Sequence, residues 1–319
     1  MSKIRAVIVD PNVPGRLALS EVAAPTPAPD EALVRVAAIS LNRGEVRRST
    51  TADAGWQPGW DLAGTVETAA NDGSGPNQGA RVVGLRRSGA WAELVSVPTH
   101  SLAEIPTAVS FAQAATLPVA GLTAYHALLK GGSLLGRSVL VTGASGGVGN
   151  FAIQLARLSG AQVVAHIRQP SYEAFVKEAG AQAVVIGEDL SPASEHGPYH
   201  LIVESVGGNT LGTALGLLAL DGTLVLFGTS GGNEVTFNAQ RFYSTGGASL
   251  YGLILFHELR RESAAVGLQR LLRLVEAGQL RPHIDIEADW TQVADVAQKL
   301  LERHFPGKAV LHIADGSYK

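Results

Sequence analysis

The sequence predicts an α/β protein of two domains, one β-rich and one built on a doubly wound parallel sheet. Three observations carry this expectation. The chain is 319 residues long, beyond the roughly 100–200 residues of a single domain. Up to about residue 117 it consists of short apolar or alternating runs broken by Pro and Gly, the texture of β-structure with irregular connections. From Ser138 onward strand-like and helix-like segments alternate, which means parallel strands joined by crossover helices.

In order, strands are expected at 4–9, 31–38, 64–67, 80–84 and 91–97, with turns in the Pro-, Gly-, Asn- and Ser-rich stretches 24–30 and 71–79. Residues 112–129 are apolar enough for a helix that Pro118 and Gly121 split. Then come strand 139–142, helix 148–159 stopped by Gly160, strand 162–166, helix 172–179 stopped by Gly180, and strand 183–186. Strand 201–204, helix 210–220, strand 223–227 and a last strand 248–254 complete the sheet. Residues 259–277 read as one amphipathic helix stopped by Gly278, followed by strand 282–286, helix 293–303 and strand 309–313.

Composition narrows the function. Hydrophobic residues make up 46% and charged residues 17%, the balance of a chain folded throughout. A net charge of −3 without a block of Lys or Arg lacks the footprint of a nucleic-acid binder. No uncharged run approaches the ~20 residues that span a bilayer, and the start runs straight into a strand-like stretch without a signal-type apolar core; the reading is a cytoplasmic protein. There is no cysteine, which excludes disulfides, thiol nucleophiles, iron–sulfur ligation and thiolate zinc sites. The 9 His are scattered, and residues 256–261 lack the second His of a zinc-protease helix. No metal is expected.

The centre of the functional reading is the run Thr142, Gly143, Ala144, Ser145, Gly146, Gly147, Val148, Gly149, a buried-type strand leading through a glycine-rich turn into a helix. Glycine is needed where the turn is tight, where backbone approaches a diphosphate and where helix packs on strand. The helix N-terminus then supplies free N–H groups and a positive dipole end to the phosphates. A rival reading fits the same residues to G-x-S-x-G, with Ser145 as nucleophile and Asp189 with His196 or His200 completing a triad. That motif gives no reason for Gly149 or for a preceding β-rich domain. At the end of the second strand, residues 165–169 hold no carboxylate to receive a ribose 2′-hydroxyl, and Arg168 offers a planar cation suited to a 2′-phosphate. NADPH is the expected cofactor.

Several further segments, 38–45, 58–64, 79–84, 89–93, 114–118 with 121–124, and the turn 143–149, are similar in type and order to the medium-chain dehydrogenase/reductase superfamily, in its zinc-independent quinone oxidoreductase branch. The resemblance implies a GroES-like domain at 1–118 and 258–319, with a Rossmann NADPH-binding domain at 119–257 between. It implies hydride transfer from NADPH to a quinone or an α,β-unsaturated carbonyl, and a homodimer joined at the edge strand near 248–254. Zinc-dependent relatives have a ligand His where this chain has Trp60.

Carried over residue by residue, Asn42 stands on the substrate side with Arg43 as an electrostatic partner. Thr123, the turn Gly143–Gly149, Val206, Gly207, Phe227, Gly228, Ser230 and Lys308 are cofactor contacts; Lys308 reads equally as a surface lysine. Trp56, Trp60 and Tyr125 are candidates for lining a substrate pocket, buried packing being the commoner fate of such residues. Relatives often carry a Tyr proton donor soon after Asn42, and none lies between Asn42 and Trp60 here, so the proton is left to water or to the product's own contact with solvent. Two other functions stay open: a dinucleotide-binding module without turnover, and the serine hydrolase.

Overall fold

The computed structural model describes residues 2–313, and the chain divides into two compact units. The first runs from the N-terminus to Leu122 and is rejoined from Leu259 onward; the second is Thr123–Glu258. Residues 314–319, expected in the C-terminal part of the first domain, lie outside the described residues.

The first unit opens with the antiparallel pair β1 (Lys3–Val9) and β2 (Leu17–Ala23). Its organising strand is β3 (Glu31–Ser40), whose residues alternate between half-buried and buried before a fully buried end at Ala38, Ile39 and Ser40. Helix α1 (Arg43–Ser49) follows directly. Strands β4 (Asp61–Thr68), β5 (Arg81–Leu85), β6 (Leu94–Pro98) and β7 (Leu102–Glu104) then build a sheet in which β4 pairs with β3, β5 with β4 and β7 with β5, while β6 takes the N-terminal half of the other edge of β3. Helix α2 (Phe111–Ala115) starts from a capping box: Ser110 Oγ accepts the Gln113 N–H, and the Gln113 side chain accepts the Ser110 N–H.

The apolar segment expected as a split helix keeps its helical course instead. Between α2 and α3 (Leu122–Leu129), the five residues Leu117–Gly121 form one π-helical turn. Pro118 has no N–H to donate, so the break in the ladder is absorbed by a wider turn rather than by a kink.

The second unit carries six parallel strands, β8 (Ser138–Thr142), β9 (Gln162–Ile167), β10 (Ala183–Ile186), β11 (Tyr199–Glu204), β12 (Leu218–Leu226) and β13 (Ser249–Gly252), in the order β10-β9-β8-β11-β12-β13. This is the Rossmann order, with its switch point between β8 and β11. The helices of this unit are α4 (Gly147–Leu158), α5 (Glu173–Glu178), α6 (Gly208–Leu215), α7 (Ala239–Ser244) and α8 (Leu255–Glu258). Back in the first unit, α9 (Ala264–Glu276), β14 (Ile284–Asp289), α10 (Val293–Glu302) and β15 (Lys308–His312) complete the chain. β15 pairs antiparallel with the C-terminal half of β3, Val310 opposite Ser40 and His312 opposite Ala38.

Two helix boundaries and two strands differ most from expectation. The helix expected over 210–220 ends at Leu215, where Gly216 caps it, and the apolar residues after it open β12; an uninterrupted apolar run carries no periodic mark of the change. The single helix expected over 259–277 is confined to α9, with α8 a separate short turn before it. Strands β2 and β7 were not expected. β2 shows only partial burial along most of its length, and β7 has 3 residues, too little for a period-two signal.

Each unit has its own core. In the first, Ile39, Leu41, Leu62, Trp91 and Trp290 are fully buried, joined by Val293, Val296 and Ala297 from the apolar face of α10. In the second, Leu140, Ile202 and Leu224 of the sheet pack with Leu211 and Leu215 of α6 around Tyr199. Burying each such aliphatic side chain is worth about 1.5–3 kcal/mol, which offsets the ordering of loops that carry the functional groups.

Candidate active site

In the second unit, the C-terminal ends of β8 and β11 present two glycine-containing loops side by side. Gly143 leaves β8 with φ +58°, and a side chain there would stand 2.5 Å from Ser205 Oγ. At Gly149 a Cβ would lie 2.6 Å from the Gly143 carbonyl oxygen, so the start of α4 seats directly on the turn. The N-cap of α4 is Gly146, which makes no side-chain capping bond. The first-turn N–H groups are therefore left for an anion. Ser145 and Gly146 lie on this turn with Gly147 and Val148, half-buried to exposed, while Ala144 is buried.

At the neighbouring strand end, Phe227 donates its N–H to the Glu204 carbonyl, Ser230 donates to the Ser205 carbonyl, and Gly208 opens α6. Gly228 sits close over Ser205, its would-be Cβ 3.1 Å from that carbonyl oxygen. Val206, Gly207, Phe227, Gly228 and Ser230 are thus brought together with the turn Gly143–Gly149. Arg168 follows the last residue of β9 and is exposed. Thr123 is buried on α3, and Tyr125 stands edge-on to His126 with ring centroids 5.1 Å apart.

The serine-hydrolase arrangement is absent among the described residues. Asp189 accepts the Ser191 N–H at 2.9 Å, and the buried Nδ1 of His200 has no partner. No hydrogen bond links Ser145 to His196 or His200. The glycine turn belongs to an uncapped helix start, not to a nucleophile with its base.

In the first unit, Asn42 closes a buried polar cluster. As the N-cap of α1 it takes part in a capping box, its backbone N–H donating to Glu45 Oε1 at 2.8 Å. Its side-chain amide donates to Glu45 Oε1 at 2.9 Å and to Asp61 Oδ2 at 2.8 Å, and its carbonyl oxygen accepts from Lys308 Nζ at 2.7 Å. Lys308 also donates to the Leu41 carbonyl at 2.8 Å and stands 3.8 Å from Asp61 Oδ2. The other Asp61 oxygen accepts the Val119 N–H at 3.0 Å, from the π turn.

Glu45 and Asp61 are fully buried and Lys308 is 4% exposed. Two acids thus face one cation. Burial, reinforced by the Asp61 charge, holds the Glu45 carboxyl well above the usual carboxylate range, and Glu45 Oε2 has no hydrogen-bond partner. Burial also raises Asp61 to about 6 against the pull of Lys308 and Asn42, and lowers the Lys308 ammonium.

These contacts give three expected site residues partners of their own. Asn42, expected on the substrate side, has both amide protons and its carbonyl occupied. Lys308 is neither exposed nor on the surface, and its contacts are Leu41, Asn42 and Asp61. Arg43 donates to the carbonyls of Leu300 and Leu301 at the end of α10, where a cation meets the negative end of a helix. Nearby, the Trp60 indole lies against Gly44, where a Cβ would be 2.8 Å from the ring. Trp56 is stacked under the Arg48 guanidinium at 4.9 Å and lines a cavity of about 550 Å³ with Thr51, Asp53 and Gly55.

Sequence reading missed Glu45, Asp61 and Glu204, and named Thr142 only as the strand residue before the glycine turn. The first two lie inside quoted segments, yet only the fold brings them to Lys308. Glu204 carried a local signal, an acid two and three residues before the N–H groups that it accepts. Among the described residues no group of three or more metal-ligating side chains occurs, and no helix is long and apolar enough to cross a membrane.

With the geometry in view, residues 28–107 match the family "Alcohol dehydrogenase GroES-like domain" and residues 147–271 match "Zinc-binding dehydrogenase". Among curated proteins the chain is 30% identical to the quinone oxidoreductase of Lama guanicoe, covering 92% of both chains. It is 28% identical to the 2-methylene-furan-3-one reductase of Solanum lycopersicum, covering 92% of this chain and 74% of that protein. Among solved structures, the mycobacterial protein Rv1454c complexed with NADPH superposes with a TM-score of 0.86 at 27% identity, over 97% of this chain and 100% of that one.

Proposed function

The chain belongs to the medium-chain dehydrogenase/reductase superfamily and is quinone-oxidoreductase-like, and from that premise we propose that it binds NADPH and, without a metal, reduces a quinone or an α,β-unsaturated carbonyl compound. The observation that carries this reading is the cleft at the switch point, where an uncapped, glycine-built helix start lies beside a β9 end that has exposed Arg168 and no acid. Bound there, NADPH supplies the hydride, and the chemistry is the cofactor's own.

The protein's share is binding, orientation and electrostatics. The turn Gly143–Gly149 holds the diphosphate and Arg168 the 2′-phosphate. Thr123, Val206, Gly207, Phe227, Gly228 and Ser230 are assigned to the nicotinamide end. On the substrate side, Asn42 is assigned a positioning role, its amide fixed by Glu45 and Asp61 and its carbonyl by Lys308. Trp56, Trp60 and Tyr125 are assigned to substrate packing. A zinc ion does not fit: Trp60 offers no ligand atom, there is no cysteine, and Asp61 is already held by Asn42, Lys308 and the Val119 N–H.

We also propose a homodimer joined through β13, which pairs on one side only and carries Leu250 at 47% and nearby Ile254 at 69% exposure. Light scattering gives the mass, and Leu250→Lys with Ile254→Lys is expected to yield monomer.

Two observations favour a second reading, a dinucleotide-binding module without turnover. The Asn42 amide is consumed internally, and no Tyr lies between Asn42 and Trp60 to give a proton. NADPH absorbance decay with a panel of quinones and enones, run beside NADH and beside Arg168→Ala, separates the two. Turnover with an NADPH preference that Arg168→Ala erases supports the reductase. NADPH binding without turnover transfers the assignment to the module, and absence of binding overturns both.

A further inference from the structure

At the seam between the two glycine loops lies a buried acid that neither binding nor hydride transfer explains. Glu204, the last residue of β11, is fully buried, as is Thr142, the last residue of β8. The Glu204 carboxylate accepts from Thr142 Oγ1 at 3.0 Å, from the Val206 N–H at 2.8 Å and from the Gly207 N–H at 3.0 Å. Thr142 Oγ1 in turn accepts the Ser205 N–H at 3.1 Å. Among the described residues no side-chain cation pairs with the acid; its partners are backbone N–H groups and one hydroxyl.

A buried carboxylate is costly unless its oxygens are hydrogen-bonded, so a chain that needed only packing here would do better with an apolar residue. What the acid supplies is direction. It gathers the N–H groups of residues 206 and 207 onto one point and ties them through Thr142 to the strand that feeds the turn Gly143–Gly149. The loop after β12 depends on the same short stretch. Ser230 bonds to the Ser205 carbonyl, Gly231 to the Val206 carbonyl, and Gly207 is bridged to Gly232, leaving a would-be Gly207 Cβ only 2.3 Å from the Gly232 oxygen. Residues 205–207 are therefore the hub on which three strand-end loops converge.

We propose that Glu204 and Thr142 are positioning residues for the cofactor cleft, fixing residues 205–207 against the glycine turn before any ligand enters. The inference rests on the dinucleotide reading for its consequence and on the hydrogen bonds of residues 142 and 204–207 for its cause, and the two are tested separately. Thr142→Val keeps the shape and removes the hydroxyl, while Thr142→Ser keeps the hydroxyl. Glu204→Gln keeps one oxygen and sets an NH₂ against the Gly207 N–H.

Amide hydrogen exchange of Val206 and Gly207 without ligand is expected to quicken about tenfold or more in Thr142→Val and Glu204→Gln, a loss in the range of a hydrogen bond to a charged group, and to stay near wild type in Thr142→Ser. NADPH titration should show affinity weakened about tenfold in the same two variants, with the KM for NADPH raised and the KM for quinone unchanged. Unchanged exchange in both variants overturns the positioning role whatever the protein binds. Faster exchange with unchanged NADPH affinity overturns its link to the cleft. Should wild type fail to bind NADPH at all, the functional reading falls while the exchange result still decides the positioning role. Should Thr142→Val fail to fold, Glu204→Gln against wild type carries the same decision.

Discussion

Both units bury acids at the heart of their candidate sites, and they stabilise them in opposite ways. Glu204 is surrounded by backbone N–H groups and a hydroxyl, with no cation. Glu45 and Asp61 share one ammonium and one amide, and an oxygen of Glu45 is left over. Backbone donors are fixed by the fold and bring no second charge, so an acid held by them orients a loop. Burial raises all three acids, but only side-chain partners add a second charge, so an acid held by them shares in setting the electrostatics of its surroundings. The same residue type thus serves geometry in one unit and potential in the other.

Lys308 carries the largest expected effect. Lys308→Met removes the only cation within reach of Asp61 among the described residues and leaves a buried acid unpaired, an expected loss of about 3–5 kcal/mol read from urea unfolding midpoints. The second test is pH. The folded-state value of Asp61 is raised to about 6 and Glu45 is raised as well, so both acids hold their protons more tightly in the folded chain. Their stability contribution is fully present below the ordinary carboxylate range and is lost as pH rises through about 6. The contribution of this cluster to stability should therefore fall by about 1–3 kcal/mol between pH 5 and pH 7.5, against an opposite and smaller trend from His166 and His200, which burial holds below the usual imidazole range. Glu45→Gln should flatten that slope, equal to wild type at the acid end and more stable at the neutral end; an equal slope in the variant refutes the shared-charge account.

In the second unit the sensitive quantity is backbone geometry. Gly207 has φ +76° and no room for a Cβ beside Gly232, so Gly207→Ala should cost about 1–3 kcal/mol and lower NADPH affinity, measured by calorimetry. The smallest effect is expected at Arg43. Arg43→Ala loses its bonds to the last carbonyls of α10, worth about 0.5–1 kcal/mol in thermal unfolding.

The parallel sheet was legible in the sequence because its grammar is local: each strand, its glycine turn and its helix lie within some thirty residues, as parallel βαβ units require. The glycine turn was legible for the same reason, since Gly143, Gly146 and Gly149 answer needs of one short loop. The polar cluster was not. Asn42 and Glu45 are neighbours, but Asp61 comes from the next strand and Lys308 from the last, and no periodicity announces that β15 will lie against β3. Lys308 therefore read equally as a cofactor contact or a surface lysine. Asn42 read as a substrate-side residue because a motif names a residue without saying how many of its hydrogen bonds are already taken. Arg43, similarly, finds the end of a helix more than two hundred residues away.

That distance also has a meaning in time. A chain emerging from the ribosome presents Asn42, Glu45 and Asp61 long before Lys308, and the whole second unit is synthesised in between. Domains tend to fold in order of synthesis, which lets the second unit complete itself while the first still lacks β15 and its cation. Until then the nascent first unit holds two acids without a counter-charge, and water or a proton must stand in for the lysine.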